Sequence, residues 1–235
     1  AKEIYGIAYL KNYRLPFAPA KIIKMFNDEK NYIESEKWIQ RSLEQLFQKE
    51  EVNVEYAFLL SKIGNFAEGN KIFQDILSNF KNDIYFILKY IEFLNENGKF
   101  NEALNFINQN EIQNNYIISL YKGICYYSLN EYEKAIDELN RSIQLEKNSL
   151  AFIYLAMNYF KINKKQRGYD FLKTGLLTLD FHNDIKLKQV FSDNIFDSLK
   201  HEFEFKSILY RYKAREEEII TKELLTKIKE IIEKK

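Results

Sequence analysis

The stretch Gly123–Ile143, GICYYSLNEYEKAIDELNRSI, decides the fold of this chain. Its first part is apolar and runs out at Ser128-Leu129-Asn130. Its second part sets Tyr132, Ala135, Leu139 and Ile143 three and four residues apart, which is one face of an α-helix. Asn130 lies between the two parts, and asparagine tolerates the left-handed backbone on which helices end. A helix, a tight turn and a second helix follow from this pattern.

Working outward, the small residue at Ala135 belongs to the series Ser35, Gly69, Ala103, Ala135, Gly168, with separations of 34, 34, 32 and 33. Four residues after each comes a large apolar side chain: Ile39, Phe73, Ile107, Leu139 and Leu172. Three residues before stand Tyr32, Phe66, Phe100 and Tyr132, with Lys165 as the exception. Five residues before stand Lys30, Gly64, Gly98, Asn130 and Asn163, four of which are types suited to a left-handed turn. The small residue marks where the second helix crosses the first. Axes approach to about 8–10 Å only where the contact carries little side chain, and a bulkier residue there overpacks by about 1–3 kcal/mol. A lone hairpin of two short helices cannot bury its apolar face, so successive hairpins must stack.

The repeat resembles the tetratricopeptide repeat, whose pattern has a glycine, a tyrosine three residues later, a turn glycine, an aromatic, an alanine, a second aromatic and an alanine. Gly123, Tyr126, Asn130, Tyr132, Ala135, Leu139 and Ser142 stand at those places. In the following repeat the matching residues are Phe152, Leu155, Ala156, Tyr159, Gly168, Leu172 and Gly175. Earlier repeats are looser: Tyr56-Ala57 with Leu60, and Tyr90-Ile91 with Leu94, replace the first-helix signature, and the closing proline of the family is absent. Ile91, where a small residue is expected, predicts a neighbouring helix pushed outward. The resemblance spans about residues 16–181, five repeats. It implies an all-α fold, a right-handed α-α superhelix of stacked helix-turn-helix repeats with a C-terminal capping helix.

Outside those repeats, residues 1–15 read as a lead-in, the end of a truncated repeat, and residues 182–235 as a degenerate repeat and a long amphipathic helix. In the degenerate repeat, Asn183-Asp184 is expected to cap a helix carrying Leu187, Val190, Phe191, Ile195, Phe196 and Leu199. From about Phe205 to Lys235 apolar residues recur at helical spacing among many charges, as a polar-faced terminal helix requires.

Composition excludes several function classes. Apolar residues are 46% of the chain and charged residues 29%, enough to bury a core and solvate a surface. The 35 basic and 34 acidic side chains nearly cancel, so no global field draws in a nucleic acid or an anionic membrane. The one local basic cluster, Lys161, Lys164, Lys165 and Arg167, reads as a solvated turn. No apolar run reaches the roughly 18 residues that cross a bilayer, and a soluble protein of the cytoplasm or periplasm is expected. Cys125, the single cysteine, allows no internal disulfide and no thiolate metal cluster; it reads as a buried inert thiol. His182 and His201 lie in different elements, the first read as a turn residue and the second as an exposed helix position. No catalytic motif, cofactor or metal site is recognisable, and an enzyme is not expected.

The resemblance implies a partner surface on the inner wall formed by first helices. Its residues are expected to be Ala20, Lys24 and Asn27, then Val54, Phe58 and Ser61, then Leu88, Glu92 and Asn95, then Leu120, Ile124 and Tyr127, then Ile153, Met157 and Phe160. The last two sets are almost wholly apolar, which suits an extended peptide or amphipathic helix of a partner protein. The chain's own C-terminal helix, folded back, is the other occupant that fits. The family's lysine and asparagine clamp for a terminal carboxylate would fall at Ala20 with Lys24 and at Val54 with Phe58, so chaperone-tail binding is not expected. Two readings follow: an interaction scaffold, and a peptide-sensing regulator anchored at Glu92 and Asn95. Abundant Asn, Lys and Ile with little Pro suggest an AT-rich bacterial coding sequence and, by analogy, an envelope or flagellar assembly.

Overall fold

The computed structural model describes residues 18–44, 49–110, 115–178 and 193–212. Its helices are α1 Ala18–Asp28, α2 Tyr32–Glu44, α3 Lys49–Lys62, α4 Phe66–Asn79, α5 Ile84–Glu96, α6 Phe100–Gln109, α7 Tyr116–Ser128, α8 Tyr132–Leu145, α9 Ser149–Lys161, α10 Lys165–Leu177 and α11 Asn194–Leu199. Residues 203–212 are also helical, and the described residues contain no strand. The chain divides into two compact units, Ala1–Gln109 with α1–α6 and Asn110–Lys235 with α7–α11. The lead-in 1–15, the Asn183-Asp184 cap and residues 213–235 of the long terminal helix lie outside the described residues.

Each hairpin turns where the period places its turn. Among the described residues those with positive φ are Lys30 (59°), Gly64 (91°), Gly98 (69°), Asn130 (62°) and Asn163 (61°). Around each, the same pair of hydrogen bonds closes the first helix. The turn residue's N–H reaches back three residues, as Gly64 N to Ser61 O at 3.0 Å, and the next N–H reaches back five, as Asn65 N to Leu60 O at 2.8 Å. This pattern satisfies carbonyls that a helix end would otherwise leave without donors. Lys30 adopts it although a left-handed backbone costs a residue with Cβ about 1–2 kcal/mol. Side chains of Asp83, Asn115 and Asn148 cap the starts of α5, α7 and α9.

The small residues of the series are crossing points. Ser35, Ala103 and Ala135 are fully buried, as are Gly69 and Gly168. A Cβ at Gly69 would stand 2.7 Å from the Ala57 carbonyl oxygen, and one at Gly168 would run into the Phe160 ring. Gly69→Ala therefore has to move backbone. We expect it to lower stability by about 1–3 kcal/mol despite alanine's better helix propensity, measured as a lower urea midpoint at unchanged slope. In the first hairpin the crossing also carries a polar tie: Ser35 Oγ donates to Asn27 Oδ1 at 2.6 Å, and Asn27 Nδ2 donates to the Glu55 carbonyl at 3.1 Å, joining α1, α2 and α3.

Within each unit the first helices also pack on one another, α1 on α3 and α3 on α5 in one, α7 on α9 in the other. α5 and α6 form the loosest of the hairpins, and Ile91 is fully buried where Ala57 and Gly123 stand in the neighbouring repeats. An aromatic cluster fills the first unit, with the Phe93 ring 4.8 Å from Phe73, 5.3 Å from Phe66 and 5.6 Å from Phe58. The core of the second unit runs from Leu120 through Leu139, Leu155 and Leu172 to Phe196, Leu199 and Phe205.

Candidate partner-binding surfaces

In the first unit the facing sides of α1, α3 and α5 meet around a narrow polar recess, lined by Lys24, Asn27, Asp28, Glu55, Phe58, Lys62, Lys89, Glu92 and Glu96. Asp28 is shared by two lysines, Lys24 Nζ at 3.2 Å and Lys62 Nζ at 3.5 Å. Lys89 Nζ pairs with Glu92 at 2.9 Å and sits 5.9 Å from the centre of the Phe58 ring. Glu55 differs from these. It is 5% exposed, and among the described residues no ammonium lies within ion-pair distance of its carboxyl. Burial pushes its pKa up to about 7, against the opposing pull of Lys89 and Lys24. Burial raises the Tyr85 phenol as well, and the nearby Glu55 adds to that shift.

In the second unit the corresponding faces are apolar and covered. Residues 193–205 lie on them, burying Phe196, Leu199 and Phe205 among Tyr127, Met157, Phe160 and Tyr169. Acidic residues fix both ends of this segment. Asp193 caps α11, accepting from Ile195 N at 2.9 Å, and its second oxygen accepts from Tyr127 Oη at 3.0 Å. Glu202 accepts from Lys165 Nζ at 2.6 Å and from Tyr169 Oη at 2.7 Å, which holds its carboxyl below the ordinary range. Lys161 Nζ donates to Asn194 Oδ1 at 3.1 Å. Tyr154 is pushed up to about 12 by burial and by the Asp193 charge. The Phe196 and Phe205 rings stack on each other with centroids 5.9 Å apart.

These placements redraw the expected inner wall. Val54, Leu120, Tyr127, Ile153, Met157 and Phe160 are buried core residues and Phe58, also buried, reaches the surface only at the recess, so they do not form an open strip. Leu88, Asn95 and Ile124 are half-buried, and Glu92, 8% exposed, is the expected residue that does line the recess, with Lys24, Asn27 and Phe58 beside it. Glu55, Lys62, Lys89 and Glu96 were missed. They fall beside the chosen positions on α3 and α5, and a one-residue change turns a helical side chain by about 100°. Their signal was the run of charges at spacings of three, four and seven on otherwise apolar first helices.

The remaining candidates fall into place locally. Cys125 is fully buried. His201 stands in the turn after α11, because that helix ends at Leu199 and Glu202 opens the next; His182 lies outside the described residues. Three of the four residues of the basic cluster are engaged within their unit, Lys161 on Asn194, Lys165 on Glu202 and Arg167 over the Tyr159 ring at 5.8 Å. Among the described residues no helix is long and apolar enough to cross a membrane, and no group of His, Cys, Asp or Glu could hold a metal ion.

No family model matches the chain. No curated protein matches it either. Solved structures do. An IFIT1 monomeric mutant with Gppp-AAAA is similar at TM-score 0.62 and 15% identity over 92% of this chain and 54% of that one. A chain of the APC/C hetero-tetramer Cut9-Hcn1 is similar at 0.57 and 13%, over 89% of this chain and 45% of that one. The Pseudomonas aeruginosa protein pilF is similar at 0.54 and 14%, over 83% and 96%. This chain thus spans about half the length of the first two. At these identities the likeness is one of fold: all-α, built of stacked helix-turn-helix hairpins of the tetratricopeptide type.

Proposed function

We propose that this chain is a non-catalytic scaffold that receives a peptide or amphipathic helix of a protein partner on its first-helix faces, with its own residues 193–205 as the built-in competitor in the second unit. The observation that carries this reading is the covered apolar face. A segment with an acidic cap, Phe196, Leu199, Phe205 and a second acid at Glu202 occupies it as a docked helical peptide would. The two readings open from the sequence therefore join: the scaffold acts as a regulator because an arriving partner must displace what already sits there.

A protein is favoured over RNA. One structural neighbour holds Gppp-AAAA, but in this chain three lysines of the recess face four carboxylates, and Lys161, Lys165 and Arg167 of the basic cluster are engaged within their own unit. The proposed setting is a bacterial envelope or flagellar assembly, and composition alone supports it.

The test uses a labelled peptide of residues 192–207 added to the full chain and to its Phe196→Ala, Leu199→Ala double variant. The variant should bind the peptide about a hundredfold more tightly, because the tethered segment of the natural chain competes at an effective concentration in the millimolar range. Equal binding by both proteins, or none by either, would reject the reading.

A further inference from the structure

The seat of residues 193–205 in the second unit selects by charge as well as by shape. Four hydrogen bonds reach the segment from α7, α9 and α10 among the described residues, and in each the wall donates. Tyr127 Oη donates to Asp193 Oδ2 at 3.0 Å, Lys161 Nζ to Asn194 Oδ1 at 3.1 Å, Lys165 Nζ to Glu202 Oε1 at 2.6 Å and Tyr169 Oη to Glu202 Oε2 at 2.7 Å. The ammonium of Lys164, in the same turn as Lys161 and Lys165, has no partner among the described residues and adds to this positive edge. Both tyrosines are buried, and a buried donor that loses its acceptor costs more than its bond contributed.

The groups that receive these bonds recur in the segment. Asp193-Asn-Ile-Phe196 and Glu202-Phe-Glu-Phe205 are each an acid followed three residues later by phenylalanine, and the two steps begin nine residues apart. Each acid stands at the start of a helix, Asp193 before α11 and Glu202 before the helix 203–212. Each phenylalanine is buried, and the two rings stack. We propose that this face of the second unit is specific for a partner segment built the same way, an acid with an aromatic three residues on, twice, about nine residues apart, and that it rejects basic amphipathic helices of the same apolar spacing. The reason lies in the oxygens. Asp193 accepts from Ile195 N with one and from Tyr127 with the other, and Glu202 divides its pair between Lys165 and Tyr169. Only a carboxylate offers two acceptor oxygens on one side chain; an amide has one and turns a donor toward the second phenol. Lys165 is half exposed, so its ion pair alone is weak, and the two-oxygen demand carries the discrimination.

This inference rests on the scaffold reading, since it names the kind of partner that the second unit receives. Its test titrates four labelled forms of the 192–207 peptide, natural, Asp193→Asn, Glu202→Gln and Glu202→Lys, into the full chain carrying Phe196→Ala and Leu199→Ala. Asparagine caps a helix as well as aspartate does, so a loss with Asp193→Asn reads the Tyr127 contact and not helix formation. Each amide peptide should bind about tenfold more weakly than the natural one, and the lysine peptide about thirtyfold more weakly. Lys165→Glu in the chain changes an exposed residue in the first turn of α10, where an acid is favourable, and should reverse the order of the natural and Glu202→Lys peptides. Four peptides binding within about twofold of one another, or an order that Lys165→Glu leaves as it was, would overturn the specificity and leave the scaffold reading standing. No binding of the natural peptide would overturn both.

Discussion

Glu55→Gln should stabilise the first unit by about 3 kcal/mol at pH 8 and leave its stability nearly unchanged at pH 4.5. In the folded chain the Glu55 carboxyl gives up its proton at about pH 7, against an ordinary value of 4.5. The difference, 7 − 4.5, is about 2.5 pH units, and at about 1.4 kcal/mol for each it amounts to about 3 kcal/mol. A carboxyl whose folded pKa is raised favours the fold while neutral. Its contribution is complete below 4.5, declines as pH climbs toward 7, and is gone above that, where the buried group is charged in the fold as in the unfolded chain. Glutamine is neutral throughout, so the variant keeps at pH 8 what the natural residue has only in acid. Urea unfolding of both proteins across pH 4.5 to 8 measures the gap directly. A constant difference between them, or one that shrinks as pH rises, would show that Glu55 is not the buried, late-ionising group described here.

The hairpins were legible in the sequence and the orientation of their first helices was not. Second helices bury a narrow stripe; in α8 it is Ala135, Leu139 and Ser142, and its spacing can be read by eye. The turns were legible through the period more than through residue type: Lys30 is a poor left-handed residue, yet its register put it among the five, and it takes φ 59°. First helices are packed on several sides, by their own partner and by the first helix of the next hairpin. α9 buries Phe152, Ile153, Leu155, Met157, Tyr159 and Phe160 around most of its circumference, so no period points to the side that would face a ligand. The wall was therefore assigned from the family pattern, and Val54 was chosen where Glu55 faces the recess. The segment 193–205 was legible as a helix carrying Ile195, Phe196 and Leu199, but its seat was not: its contacts join residues far apart in sequence, such as Tyr127 with Asp193, and short-range spacing carries no record of them.

The same distinction separates two substitutions that an open apolar strip would have made equivalent. Met157→Lys should unfold the second unit at ordinary temperature. Met157 is 1% exposed, inside a core with Ile153, Leu155, Leu172 and Phe196. Burying a charge in an apolar core and losing the methionine's packing together cost more than the roughly 4–5 kcal/mol that marks the severe end of single substitutions, against about 5–15 kcal/mol for a whole domain. Phe196→Asp is equally charged but sits in the six-residue α11, held by its caps and by its seat on the face. That seat can be vacated. The segment should leave while α7–α10 remain helical, so most of the ellipticity survives and the freed face binds a hydrophobic dye. Circular dichroism and dye fluorescence on the two variants distinguish the cases. If Met157→Lys melts like the natural chain, the side chain lies on an open wall after all and the covered face is not its environment. If Phe196→Asp collapses α7–α10 with it, residues 193–205 are part of the core, and they are not an occupant that a partner could replace.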